Sequence, residues 1–295
     1  VDYLNAQGVV PFIEVARRDV STPWRAFYDW PESYARYVAY VFSRYHANNC
    51  ILSPIHYDWY FMSVPSRDYN EPANLVLDRY GHPPFGTLLS ANANGSTLLN
   101  FGQPPWLSLH QVGNWRDHHS HWLLTDIHVR TDPPRPVLNG EPYYAGWPDY
   151  EGWPDYEGWR EEDFVGGTEA DDAACRSGMY GSLLSGGLAG HIYGAQGIWG
   201  GDIEPESAYT MWDALRWRSG AQMQHLRTFA LSEGDRYRSL VPRADLIYPN
   251  QTLEVEGNRG WAYCACTPER DLYMIYCETG AAQPSLRDAQ PMATY

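Results

Sequence analysis

Glu141 is the carboxylate whose sequence setting points most directly to chemistry. It follows residues 136–140, in which Val137 and Leu138 have the apolar character of a short buried strand. The next residue, Pro142, restricts the backbone of Glu141. Because α/β barrels place their chemistry at the carboxyl ends of their strands, this pattern predicts a rigidly held catalytic carboxylate. The alternative interpretation is a surface glutamate at a turn.

A second carboxylate, Asp58, follows another predicted strand. Residues 50–53 form the short apolar run, and the sequence Pro-Ile-His-Tyr links it to Asp58. The neighbouring Ile55, Tyr57 and Trp59 predict an apolar setting, which favours the protonated carboxylic acid. Hydrolysis of a glycosidic bond needs such a proton donor and a second carboxyl group opposite it.

Helices and strands alternate through residues 1–234, which is typical of a parallel sheet. Apolar periodicity predicts a helix at 31–46. Other sequence signals predict helices at 2–7, 70–80, 118–129 and 169–187, one or two helices at 206–231, and strands at about 9–15, 50–53, 86–90, 106–111, 136–140 and 190–194. A closed (β/α)8 TIM barrel needs eight strands. We therefore expect an α/β barrel at 1–234 whose first two strands are missing, completed by an additional N-terminal segment or by a second copy in a homo-oligomer.

After residue 234 the pattern changes to short strands separated by turns. This change predicts a small all-β, sandwich-like domain at 235–295, itself incomplete. Within it Cys264 and Cys266 share one face of a predicted strand, and Cys277 lies on the next strand. This arrangement has two interpretations. Either Cys277 forms a disulfide with Cys264 or Cys266, or the cysteines are reduced, buried thiols.

Charge and aromatic content restrict the partner. The formal net charge of −15 argues against nucleic acid and anionic membranes. The 13 Trp and 23 Tyr residues suit stacking against sugar rings, and an aromatic core is the alternative use for them. We expect an oligo- or polysaccharide substrate and no cofactor. Neither a membrane span nor a signal peptide is visible, but the sequence starts within a predicted helix, so we expect a missing N-terminus and a secreted or periplasmic protein.

A six-residue repeat follows the Glu141 region. Gly-Trp-Pro-Asp-Tyr-Glu occurs at 146–151 and again at 152–157, and Gly-Trp begins a third unit. Pro and Gly in each unit exclude a helix or a regular strand. The repeat predicts a duplicated loop in which Trp147, Trp153 and Trp159 form a stacking platform, with a flexible acidic loop as the alternative.

Four segments together resemble the apiosidase-like glycoside hydrolases. Residues 182–199 contain Gly-His-Ile-Tyr-Gly and end at a Trp, and residues 136–144 read Pro-Val-Leu-Asn-Gly-Glu-Pro-Tyr-Tyr. Residues 3–11 and 235–242 resemble the entry to the third strand and the exit toward a C-terminal β domain of the same family. The resemblance implies a retaining hydrolase acting on branched plant-type pectin at an apiose linkage.

The resemblance also implies roles for the two carboxylates. Glu141 matches the nucleophile of the seventh strand. Asp58 is the best match for the acid/base after the fourth strand, although residues 53–58 lack the glycines usual in that loop. As substrate-binding residues we expect His110, Gln111, Tyr143, His191, Tyr193, Trp199, Glu14 and Trp59. Strand alternation predicts that His191 and Tyr193 face the barrel axis together.

Two further functions remain open. One is a non-catalytic carbohydrate-binding or structural protein on a degenerate barrel. The other is a metal-dependent hydrolase, for which the ligands would come from His56, His110, His118, His119, His121 and His191. Residues 117–121 hold three histidines but lack a second carboxylate at ligand spacing, so the sequence favours a site without metal.

Overall fold

The computed structural model describes residues 1–58, 64–113, 121–146, 165–250, 260–278 and 283–288, apart from the side chains of 18–22. The chain forms two compact units. Unit 1 comprises residues 1–113 and 127–140, and unit 2 comprises 114–126 and 141–295. Across the described residues the structure mixes helices and strands, as the sequence predicts.

Unit 1 carries most of the parallel strands. Its helices are α1 (Asp2–Ala6), α2 (Arg18–Phe27), α3 (Glu32–Tyr45), α4 (Asn70–Tyr80), α5 (Thr97–Phe101) and the second half of α6 (Trp122–Arg130). Its strands are β1 (Phe12–Glu14), β2 (Ile51–Ser53), β3 (His56–Tyr57), β4 (Asn92–Ala93), β5 (Gly95–Ser96), β6 (His110–Gly113) and β7 (Val137–Asn139).

Neighbouring strands of unit 1 follow one another in sequence order. Strands β1 and β2 pair in parallel, and Leu52 forms a parallel bridge with Leu89. The Leu89 carbonyl accepts a hydrogen bond from the Leu109 N–H at 3.0 Å, and β6 pairs in parallel with β7. Because the pairs are parallel, the carboxyl ends of these strands fall at the same edge.

Two predicted strands are shorter than expected. The pattern at 86–90 predicts a full strand, but only Leu89 makes a ladder bridge there. The pattern at 106–111 predicts a strand from residue 106, but Leu107 closes a turn onto the Pro104 carbonyl and β6 begins at His110. In both places a proline-containing turn precedes the strand, and proline lacks the N–H that a ladder needs.

An aromatic cluster under α3 supports the bend between β2 and β3. Tyr34 is fully buried and makes edge contacts with Trp24 and Tyr69. Its hydroxyl donates to the Pro54 carbonyl at 2.7 Å. The bend at Pro54 is therefore held by a hydrogen bond from a side chain that is itself fixed by packing.

Unit 2 combines helices with antiparallel strands. Its elements are β8 (Gly190–His191), β9 (Val241–Pro242), β10 (Ile247–Tyr248), β11 (Ala262–Cys266), β12 (Tyr273–Cys277), β13 (Ser285–Leu286), α7 (Glu169–Leu184), α8 (Gln196–Gly200), α9 (Met211–Ala214) and α10 (Arg218–Ala230). Strand β11 pairs with both β9 and β12. The small residues of α7 allow close approach, since a Cβ at Gly181 would lie 2.3 Å from His121 Nε2.

The five cysteines are free thiols. The β11–β12 register places Cys277 opposite Ala262, and Cys264 opposite Ile275. Reduced thiols are therefore the interpretation that the register supports. Among the described residues, none of the helices is both long and apolar enough for a bilayer crossing.

We expect Tyr34→Phe to lower the free energy of unfolding by about 1–3 kcal/mol, because it leaves the buried Pro54 carbonyl without its partner. Chemical denaturation measures this change. Tyr80→Phe is the matched control, since Tyr80 is an exposed side chain at the end of α4. Equal stabilities of the two variants would contradict the role given to the Tyr34 hydroxyl.

Candidate active site

Glu141 follows β7 directly after Gly140. The Gly140 N–H donates to the Val112 carbonyl at 2.9 Å, which extends the parallel β6–β7 ladder up to the residue before Glu141. The Glu141 side chain is partly exposed. Glu141 therefore lies at the carboxyl end of a parallel strand, as the sequence predicts, and its role as nucleophile stays a prediction.

Gln111 packs against the backbone just before Glu141. Its Nε2 donates to Ser90 Oγ at 3.1 Å, and the side chain is buried. A Cβ atom on Gly140 would lie only 1.9 Å from Gln111 Oε1, so residue 140 has to be glycine for this packing. Gln111 thus positions the strand end that carries Glu141.

Asp58 lies in a charged cluster. The Asp58 Oδ2 is 3.2 Å from His56 Nε2 and 4.0 Å from an Arg17 guanidinium nitrogen. The other ring nitrogen of His56, Nδ1, is 2.6 Å from Glu14 Oε2. The sequence predicts an apolar setting for Asp58. That prediction misses the two charged groups nearest to Asp58, because β3 turns the His56 ring toward both Asp58 and Glu14.

His56 is strongly affected by these two carboxylates. Burial lowers the pKa of its imidazole, but hydrogen bonds and charge from Asp58 and Glu14 outweigh burial and raise the pKa to about 10. Glu14, predicted as a substrate ligand, is thus hydrogen-bonded to His56 at the end of β1.

His110 has a different environment from Gln111, the next residue on β6. It is fully buried, and its Nδ1 lies 2.7 Å from the Thr97 hydroxyl. Burial lowers the pKa of His110 to about 4, and the charge of Arg135 adds to the effect. A neutral, enclosed imidazole of this kind fits a structural hydrogen bond, and its role as a sugar ligand stays a prediction.

Tyr143 belongs to a buried carboxylate network in unit 2. Its hydroxyl donates to Asp171 Oδ1 at 2.5 Å, and the Gly146 N–H donates to the same oxygen at 2.8 Å. The Gly167 N–H donates to Asp171 Oδ2 at 3.2 Å. Burial raises the pKa of Asp171, while these hydrogen bonds oppose the rise. Tyr143 is buried as well, so its observed contact is structural, and the predicted contact with substrate stays untested.

His191 and Tyr193 contact different helices. His191 Nδ1 lies 3.0 Å from Ser182 Oγ on α7, and the Tyr193 hydroxyl lies 3.0 Å from Ser219 Oγ on α10. Desolvation lowers the pKa of His191 to about 3, and burial raises the pKa of Tyr193 to about 12. Strand β8 ends at His191, so strand alternation does not extend to Tyr193 and the predicted shared orientation does not follow.

Trp199 is 60% exposed on the short helix α8, which leaves its ring accessible to a sugar. Trp59 lies outside the described residues, as do the tryptophans of the six-residue repeat. Within the described part of the chain, no three His, Cys, Asp or Glu side chains form a group able to hold a metal ion. His118 and His119 lie outside that part.

The pairing of Glu14 with His56 is the site feature that sequence reasoning missed. The residues are 42 positions apart, and the parallel β1–β2 register together with the Arg17–His56 bridge brings them together. Asp171 was also missed, although Thr168 three residues earlier caps α7 and marks the first helical turn. A carboxylate in that turn is common at exposed sites, so the sequence carried no signal of its burial.

Glu141 and Asp58 each follow a strand on a mixed α/β scaffold, and comparison with known proteins identifies the family. Residues 1–234 match the family described as "Apiosidase-like, catalytic domain". A glycoside hydrolase family 5 protein from Bacteroides vulgatus has a similar fold, with a TM-score of 0.66 and 15% identity over 96% of this chain and 69% of that chain. No curated protein matches the chain.

The family match supports a glycosidase domain at the level of the family. The chain belongs to the apiosidase-like family, and its motif resemblance is confirmed. The identity to the family 5 protein is low, so that similarity supports the fold alone.

We expect Gly140→Ala to displace the Gln111 side chain, lowering the free energy of unfolding by about 1–3 kcal/mol through overpacking. Thermal and chemical denaturation measure the loss. In the double variant Gly140→Ala/Gln111→Ala the added methyl group finds room, so the combined loss should be smaller than the sum of the single losses. Strict additivity would contradict the close contact.

We expect the stabilisation by His56 to depend on pH. Its folded-state pKa is raised to about 10, above the ordinary value of about 6.5, so the contribution is complete below about pH 6.5 and disappears as pH rises toward 10. The difference in unfolding free energy between wild type and His56→Gln should therefore shrink over this interval. The exposed His82→Gln is the control; a pH-independent difference for His56→Gln would contradict the charged state.

Proposed function

We propose that the chain is a retaining glycoside hydrolase of plant- or algal-type polysaccharides, with Glu141 as nucleophile and Asp58 as acid/base. The observation that carries the proposal is the position of Glu141, one residue beyond a glycine that ends a parallel strand. The apiosidase-like match over residues 1–234 includes both carboxylates.

We infer that the parallel strands of unit 1 belong to a (β/α)8 barrel. Support comes from their sequence-ordered pairing and from the fold similarity to the family 5 hydrolase. We further propose that residues 1–234 are the barrel domain and residues 235–295 a small β domain, since strands β9, β11 and β12 pair only antiparallel with one another.

In the proposed reaction, Glu141 attacks the anomeric carbon as the bond to the leaving oxygen breaks. Asp58 donates a proton to that oxygen, so that the leaving group departs as an alcohol. Asp58 then removes a proton from water, and the water oxygen displaces Glu141 from the anomeric carbon. Retaining enzymes carry out these steps with carboxyl groups about 5–5.5 Å apart.

The substrate proposal follows the family. An apiose linkage of branched pectin is the bond that the resemblance implies, and Trp199 offers an exposed ring for stacking against a sugar. A polymeric substrate of this kind lies outside the cell, which supports a secreted or periplasmic location. The net charge of −15 means that an acidic polymer would need local cations, of which Arg17 near Asp58 is one.

A carbohydrate-binding protein without hydrolysis is the second candidate. The observation that favours it is the surroundings of Asp58, because His56 and Arg17 both favour the ionised carboxylate over the acid. Binding of a polysaccharide by affinity electrophoresis, without release of reducing sugar from any member of a pectic, arabinan and algal panel, would select this candidate.

We expect Glu141→Gln to lower kcat roughly 10⁴-fold or more, because the amide cannot form the glycosyl-enzyme bond. Release of reducing sugar from the polysaccharide panel measures the loss, and circular dichroism checks the fold. The exposed Glu233→Gln is the matched control. Near-normal turnover by Glu141→Gln would exclude Glu141 as the nucleophile.

The acid/base role of Asp58 has its own test. In Asp58→Ala, azide can occupy the vacated space and attack the glycosyl-enzyme without needing a general base. We expect azide to restore turnover of an activated aryl glycoside and to yield a glycosyl azide with retained configuration. Failure of azide to change the rate or the product would contradict this role.

A further inference from the structure

His56 lies between two carboxylates of unit 1, Glu14 and Asp58, and contacts both. Its Nδ1 is 2.6 Å from Glu14 Oε2 and its Nε2 is 3.2 Å from Asp58 Oδ2. The backbone N–H of His56 donates to the Ala16 carbonyl at 2.9 Å. This backbone bond holds the residue at the position where its ring lies between Glu14 and Asp58. About a fifth of the His56 side chain remains exposed, at 22%.

These contacts require one proton more than the ordinary neutral state of a histidine supplies. A neutral imidazole carries one N–H and one lone pair. A lone pair facing an ionised carboxylate oxygen at hydrogen-bond distance is repelled. Either His56 is an imidazolium that donates from both nitrogens, or one of the two carboxyl groups is protonated. In both descriptions Glu14, His56 and Asp58 together hold one additional proton.

The charges around the triad of Glu14, His56 and Asp58 favour the imidazolium form of His56 as long as no sugar covers the site. Glu14 contacts the His56 ring from the end of β1, and Asp58 contacts it from the residue after β3. Arg17 forms a backbone bridge with His56, and Asn92 on β4 is its strand partner. Glu14 and Asp58 supply two negative charges, and Arg17 supplies a positive charge 4.0 Å from Asp58. Two carboxylates around one imidazolium and one guanidinium form a neutral group.

We propose that His56 stores the proton that Asp58 delivers to the leaving group, and that Glu14 anchors the imidazole for this transfer. The inference rests on the proposed acid/base role of Asp58. It also resolves the conflict in the site: a carboxylate between His56 and Arg17 is ionised at rest, yet glycoside cleavage needs a protonated acid.

The proposed transfer moves a single proton along one hydrogen bond. The proton leaves His56 Nε2 and binds Asp58 Oδ2, which converts the ion pair into a neutral imidazole and a carboxylic acid. A sugar that covers the site removes water, and loss of hydration disfavours the ion pair relative to the neutral pair. Asp58 then passes the proton to the glycosidic oxygen, and in the second step the proton taken from water returns to His56.

In this arrangement His56 is a positioning residue for Asp58, and Glu14 is a positioning residue for His56. Glu14 contacts the imidazole through Oε2, and its predicted contact with a sugar hydroxyl stays a prediction. A purely structural ion pair has the same distances. A structural role and a proton-delivery role differ in one measurable respect. Only in the proton-delivery role does loss of His56 change how kcat depends on the acidity of the leaving group.

The protonation state can be measured without any substrate. Long-range ¹H–¹⁵N correlation spectra of the full chain labelled at histidine report the charge of each ring, and His56→Gln identifies the His56 signals by their loss. We expect both ring nitrogens to be protonated at pH 7.5. Asp58→Asn and Glu14→Gln should each lower the titration midpoint by about 1 pH unit or more. A wild-type midpoint near 6.5, or a midpoint unmoved by Asp58→Asn, would overturn the proposal.

Substrates with different leaving groups distinguish a proton-delivery role of His56 from a structural role. We expect His56→Gln to lose about 10²-fold or more in kcat on an alkyl glycoside or native polysaccharide, which needs protonation, but to retain most of its rate on a dinitrophenyl glycoside. Equal losses on both substrates would overturn the proton-delivery role. Lack of turnover by the wild-type protein would contradict the proposed function instead, while the titration separately decides whether the triad holds the proton.

Discussion

The parallel register between β6 and β7 is the constraint on which the candidate nucleophile depends. Backbone hydrogen bonds align His110 with Val137 and continue to Gly140, so the ladder ends one residue before Glu141. Gln111 occupies the space where a side chain at residue 140 would lie. The backbone up to Gly140, the residue before Glu141, is therefore set by strand pairing and by the absence of a side chain at residue 140, two features that do not vary with the substrate. A catalytic group held in this way costs little reorganisation at the moment of reaction.

The contacts described for Asp58 are electrostatic. Ile55 and Tyr57 are buried, but the bend at Pro54 leaves His56 and Asp58 on the accessible side, where Glu14 meets them. The apolar neighbours in sequence therefore did not reveal the charged contacts of the carboxylate, which involve His56 and Arg17. The charged groups near Asp58 are His56, two residues earlier, and Arg17, and Glu14 on β1 contacts the other side of the His56 ring.

Sequence reasoning located helices and strand ends more reliably than contacts. The predicted helix at 70–80 coincides with α4, because an acidic first turn and a regular apolar stripe both mark it. The predicted strand at 190–194 is shortened to Gly190–His191. The link between Glu14 and His56 depends on the register of strands far apart in sequence, and no local pattern encodes a register between strands. The position of Glu141 after its strand was predictable, because the apolar run and the turn that follows it are adjacent in sequence.

Trp217 and Asp171 hold the two ends of the connection that contains the six-residue repeat. The Trp217 ring occupies the space beside Gly146 and Gly166, and Asp171 accepts hydrogen bonds from the Gly146 and Gly167 backbone. The ends of this connection are fixed independently of the number of residues between them. Closing a connection costs only about 0.6 kcal/mol more for each doubling of its length. Because Trp217 and Asp171 fix these ends, a change in the length of the connection, such as the duplication of a hexapeptide, requires no change in the contacts of Gly146, Gly166 and Gly167.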